Sequence, residues 1–141
     1  MLIEASRETR VVVPASAALP YQPESASAAR QLVRNKLLNW ELGELVDDAL
    51  LVVSELVANA VRTGCQSKML VTICRVTAQS VRITVWDGSR TLPCMIQAGG
   101  SAESGRGLPL IHAITRGHWG ASLRPLGKGV HADLTVRAKT S

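Results

Sequence analysis

Phenylalanine is absent from this chain of 141 residues, tyrosine occurs once and tryptophan three times. So little aromatic surface excludes the stacking platform on which single-stranded nucleic acids are held. It also leaves the core to Leu, Val, Ile and Ala. Cysteine is scarce as well. Cys65, Cys74 and Cys94 are odd in number and match no CxxC or zinc spacing. Free thiols of this kind point to a reducing, cytoplasmic setting. No apolar run reaches the length of a membrane span, and Met1-Leu2-Ile3-Glu4-Ala5-Ser6-Arg7-Glu8 does not read as a signal peptide. Nor is there a block of like charge. The net +5 comes from 16 basic and 11 acidic residues scattered along the chain. A diffuse positive field suits an anionic small ligand or an acidic protein partner at least as well as nucleic acid, for which no recognition motif is present.

What is present is foldable: 46% apolar and 19% charged residues, in a length that suits one domain with a sizeable core. Glu8 to Val13 reads as an edge strand closed by Pro14, and Pro14 to Ser27 as an Ala/Ser/Pro-rich loop. Ser27 is placed to cap a helix reaching Trp40, with Ala29, Val33, Leu37 and Trp40 on one stripe; Gly43 breaks it. Asp47 and Asp48 open a second helix that runs to about Arg62 and stops at Gly64. Met69 to Val76 and Val81 to Trp86 alternate as a hairpin, with Met69, Val71, Ile73, Val81, Ile83 and Val85 inward. Arg90 to Ser104 has no period and reads as a mobile loop. A third helix spans Gly107 to about Arg116, and His118 to Arg124 with Val130 to Arg137 form a last hairpin. Paired strands separated by helices predict an α/β (α+β) two-layer sandwich: a mixed, mostly antiparallel sheet with helices on one face, in a single domain over 1–141.

Three segments carry chemistry. Glu55 and Asn59 stand one turn apart on one face of an otherwise apolar helix. Asn59 offers a hard oxygen ligand for Mg²⁺, and Glu55 can orient a water or accept a proton near a phosphate. The alternative is that both face solvent or cap a neighbouring loop. Asp87, with Gly88 beside it, ends a buried strand and can accept from an exocyclic amine such as that of adenine, or is an ordinary turn residue. Ser104-Gly105-Arg106-Gly107-Leu108 leads into a helix, where backbone N–H groups attract phosphate; otherwise it is a flexible helix entry, with Arg106 directed at water.

The order Glu55-Leu56-Val57-Ala58-Asn59-Ala60, Trp86-Asp87-Gly88, Ser104-Gly105-Arg106-Gly107-Leu108-Pro109-Leu110-Ile111 resembles the N-box and the two glycine boxes of the GHKL ATPase superfamily. Within it the chain looks most like the small anti-sigma-factor serine/threonine kinases, the RsbW/SpoIIAB-like group, and the single-domain ATP-binding regulators of actinomycetes. Ala28-Ala29-Arg30, Trp40, His118-Trp119-Gly120 and Gly127-Lys128-Gly129-Val130 also fall where that group has similar residues. The resemblance implies the ATP-binding fold of that superfamily, with ATP and Mg²⁺ as cofactors. It implies Asn59 on the metal, Glu55 as general base, Asp87 on the adenine amine with Gly88 beside the ring, and Gly105, Arg106, Gly107 and Leu108 around the phosphates. Residues 90–104 become a short ATP lid. The phosphate acceptor implied is a Ser or Thr of a STAS-type antagonist, a sigma factor is the second protein partner, and a homodimer through the sheet is implied too. The alternative is a nucleotide-sensing module with little or no transfer. The chain departs from the pattern at Ser89, which no second glycine follows, in the short lid, at Thr63 in place of His, and at Gly129 in place of Thr, which predicts the loss of a polar contact near the nucleotide.

Overall fold

In a computed structural model, residues 14–63, 68–88, 102–125 and 127–137 are described, the side chains of 63, 102–107 and 124 aside. The elements are β1 (Ala15–Pro20), α1 (Ser25–Asn39), a 3-10 turn (Gly43–Leu45), α2 (Val46–Thr63), β2 (Lys68–Thr77), β3 (Ser80–Asp87), α3 (Ala102–Thr115), β4 (Trp119–Arg124) and β5 (Gly127–Thr135). The five strands form one sheet in the order β1-β2-β3-β5-β4. Every pairing among the described residues is antiparallel, so the mixed component expected of the sheet is not found there.

Strand parity builds the core. Met69, Val71 and Ile73 of β2, Val81, Ile83 and Val85 of β3, and Val130, Ala132 and Leu134 of β5 are all buried on the face that the helices cover. Leu70, Val76 and Arg82 are exposed on the other face. In α1 the i, i+4 series Ala29, Val33, Leu37 is fully buried, and in α2 Ala49, Val52, Val53, Leu56, Val57 and Ala60 form the matching stripe. Small aliphatic residues fill the interior without a Phe, so each methyl counts. Cutting Leu37 or Ile83 back to Ala costs about 2–5 kcal/mol at such sites.

Several boundaries differ from the sequence reading. The strand expected at 8–13 lies outside the described residues, and the Ala-rich stretch read as a loop contains β1. Its small side chains alternate between half-buried and exposed, a weak signal that pairing with β2 overrides. The first helix starts at Ser25, not Ser27; the Ser25 hydroxyl donates to the Pro20 carbonyl at 2.7 Å, tying the helix entry to the end of β1. It ends at Asn39, ahead of Gly43, and Glu41 just beyond it takes a left-handed φ of 60°. There the Leu42 amide reaches back to the Leu37 carbonyl and the Glu41 amide to that of Leu38, the double bond of a Schellman end. The third helix begins at Ala102, so Gly105, Arg106 and Gly107 lie within it rather than ahead of it. Pro109 sits inside that helix and has no amide hydrogen to give back along it.

Candidate ATP site

The expected residues come from three elements: α2, the end of β3, and α3. On α2, Glu55 and Asn59 are both half-buried, beside the fully packed stripe of that helix, and α2 packs on β3 and α3. One residue before Glu55, the Ser54 hydroxyl accepts from the Arg30 guanidinium at 3.1 Å and donates to the Leu50 carbonyl at 2.7 Å. Arg30 thus fixes α1 against the turn of α2 that carries Glu55. Leu108 of α3 is buried in the common core. Gly105, Arg106 and Gly107 belong to the same helix. Most of the expected lid falls in 89–101, outside the described residues; its last three positions, 102–104, are helical.

The end of β3 is the most constrained part. Asp87 faces the helix layer with Val85 and is 7% exposed. Directly opposite it in the β3–β5 register stands Lys128, 1% exposed. The Lys128 ammonium donates to Asp87 Oδ1 at 3.3 Å and lies 3.1 Å from Oδ2. Opposite charges attract strongly in a medium of low dielectric, and that attraction offsets the cost of taking both out of water. The next amide, that of Gly88, donates to the Tyr21 hydroxyl at 3.0 Å. Gly127 is pressed against the Asp87 carbonyl so closely that a Cβ there would overlap the oxygen.

Neither Lys128 nor Tyr21 was among the residues expected at the site. The signal for Lys128 was its parity with Val130, Ala132 and Leu134, which places it inward. Tyr21 carried only the mark of being the single Tyr. Gly129 also reads differently in three dimensions. It faces the outer side of the sheet, opposite Trp86, whose ring lies over it. A side chain there would meet that ring and not the inward group around Asp87.

A groove of about 1000 Å³, lined by Glu44, Asp48, Thr115, His118, Asp133 and Arg137 among others, contains none of Glu55, Asn59, Asp87, Gly88 and Leu108. It lies roughly 16 Å along β5 from Lys128, at the other end of the sheet.

Five strands under three helices, with a buried Asp at the mouth of β3 and a carboxylate–carboxamide pair on α2, agree with the sequence match. The profile of the histidine kinase-like ATPase domain matches residues 19–130. The chain belongs to that family. The matched span contains every candidate residue from Tyr21 to Lys128. As a histidine kinase-like ATPase domain the protein is an ATP-binding module of GHKL type. No curated protein matches the chain. Among the described residues no helix is long and apolar enough to cross a membrane, and no cluster of three or more His, Cys, Asp or Glu could hold a metal unaided.

Proposed function

We propose that this ATP-binding module is a cytoplasmic regulator of the anti-sigma-factor type. It transfers the ATP γ-phosphate to a Ser or Thr of a STAS-type antagonist and sequesters a sigma factor in the alternative complex. The observation that carries the nucleotide assignment is the fixed, buried Asp87 at the end of β3. A carboxylate accepts only, so it selects a base that donates. The donor set also fits Mg²⁺. Asn59 supplies one oxygen, and Mg²⁺ characteristically completes its shell with phosphate oxygens and water rather than an all-protein cage. When bound, that ion neutralises phosphate charge. Glu55, one turn away on the same helix face, accepts the proton of the incoming hydroxyl. The first turn of α3 offers its free amides to the phosphates, with Gly105, Arg106, Gly107 and Leu108 following in the same helix.

Phosphorylation adds about −1.5 to −2 charges to the acceptor and disfavours an acidic contact, which gives the partner exchange its direction. Calorimetry with ATP and Mg²⁺ on the wild type and Asn59→Ala tests the site: binding is expected in the first and loss or strong weakening in the second. Transfer to a co-expressed STAS protein then tests the reaction. Glu55→Gln is expected to abolish it while ATP still binds. ATP binding with no transfer in the wild type would assign the protein instead as a nucleotide-sensing module.

A further inference from the structure

Asp87 is held from three directions, and only one of the three contacts touches its charge. Gly127 packs on its carbonyl and Tyr21 takes the following amide, so both fix the main chain. Lys128 reaches the carboxylate itself, spanning both oxygens at 3.1 and 3.3 Å. Its side chain is fully buried and its strand position is locked in the β3–β5 ladder next to Val130. The ammonium therefore has no low-cost route to solvent, because leaving would break a buried ion pair. Stability does not explain the pair, since apolar residues of similar volume commonly serve a core as well or better.

We propose that Lys128 is a positioning residue for base recognition: it sets the orientation of the Asp87 carboxylate, and so makes the site select a purine that donates from an exocyclic amine over one that presents a carbonyl there. This rests on the reading of Asp87 as the acceptor for the base. The chemical contrast is adenine against hypoxanthine, which share ring shape and differ at that edge. With the triphosphate kept constant, the phosphate-binding residues contribute equally to both ligands.

The experiment is calorimetric titration with MgATP and MgITP of the wild type, Lys128→Met and Lys128→Arg. The wild type is expected to prefer ATP. Lys128→Met is expected to lower the ATP-over-ITP preference by about tenfold, the scale of one charge-assisted hydrogen bond. It does so mainly by weakening ATP, with ITP binding nearly retained, whereas Lys128→Arg keeps most of the preference. An unchanged preference in Lys128→Met overturns the inference and leaves the ATP site standing. Tighter ATP binding in Lys128→Met also overturns it, because Lys128 would then be competing with the base. Absence of binding of either nucleotide to the wild type overturns the reading of the site and the inference with it. Should Lys128→Met fail to fold, the wild type labelled with ¹⁵N-lysine gives a second reading. The Lys128 ammonium resonance, assigned through Lys128→Arg, is expected to shift more with ATP than with ITP. Equal shifts count against the proposal.

Discussion

Gly127 lies against the main-chain carbonyl of Asp87 with no room between them for a side chain. The obstacle is backbone, which cannot rotate away as a side-chain tip can. A methyl at 127 must push β5 from β3 at the point where the Asp87–Lys128 pair forms. Overpacking commonly costs 1–3 kcal/mol, and Gly127→Ala is expected at or above about 2 kcal/mol. Urea unfolding measures this directly. An unchanged midpoint would show that the two strands are free to separate there.

Gly129, two residues on, offers the contrasting case. Its missing side chain makes space for the ring of Trp86 on the outer face. Here the obstacle is a half-buried side chain that can swing outward. Gly129→Ala is therefore expected to cost about 1 kcal/mol, less than Gly127→Ala, and to expose the Trp86 ring. Fluorescence is the readout: the emission should move to longer wavelength, with ATP affinity nearly unchanged because the outer face is not the inward group around Asp87. A large loss of ATP binding would contradict this placement.

These two glycines show what was legible in the sequence and what was not. The inward sets on β2, β3 and β5 follow from alternation, and the stripes on α1 and α2 from i, i+4 spacing, so layers and core were readable from pattern alone. Glu55 and Asn59 stood out because polar groups interrupted an apolar stripe. β1 was missed because Ala and Ser alternate with little contrast, and pairing with β2 decides that segment. The start of α3 was misplaced because Gly105 and Gly107 look like loop residues, although backbone hydrogen bonding carries the helix through them. Lys128 was hidden by its type. A lysine is read as solvated, so its inward parity with Val130 was passed over, and its register opposite Asp87 supplies the reason for its burial. Gly129 was misjudged for a related reason: which face a strand residue takes depends on a one-residue register that a short motif does not fix.

Tyr21 gives a prediction at the site that does not touch charge. Its hydroxyl accepts from the Gly88 amide, so Tyr21→Phe removes that hydrogen bond and leaves the ring in place. A net loss of about 1 kcal/mol in stability is expected. If Gly88 lies beside the base, ATP affinity should fall by a few-fold as well, while binding of inorganic triphosphate stays constant. Thermal unfolding and paired titrations separate the two effects. Equal weakening of both ligands would remove Tyr21 from base recognition.

The outer face carries a pH-dependent element. His131 lies between Thr84 on β3 and Gly120 on β4, close enough that a Cβ at 120 would be 2.9 Å from its Cε1. Burial lowers its pKa below 6.5; the Arg82 guanidinium lowers it further, and Asp133 opposes both. Arg82 is itself paired to Asp133 at 2.7 Å, and that hydrogen bond raises its own pKa, so it stays charged throughout the range of interest. Because the folded pKa lies below the unfolded one, the unfolded chain binds the proton more readily. Stability is therefore fully present above about pH 6.5 and is lost as pH falls through the folded value. The informative quantity is a difference between proteins, in which pH effects common to all of them cancel. His131→Gln removes the imidazole contribution, and its urea midpoint should fall less between pH 8 and pH 5 than that of the wild type. Arg82→Gln should also reduce the fall, since it removes a cation that disfavours imidazolium and leaves Asp133 to favour it. Parallel pH profiles for all three proteins would mean that His131 titrates as freely in the folded chain as in the unfolded one.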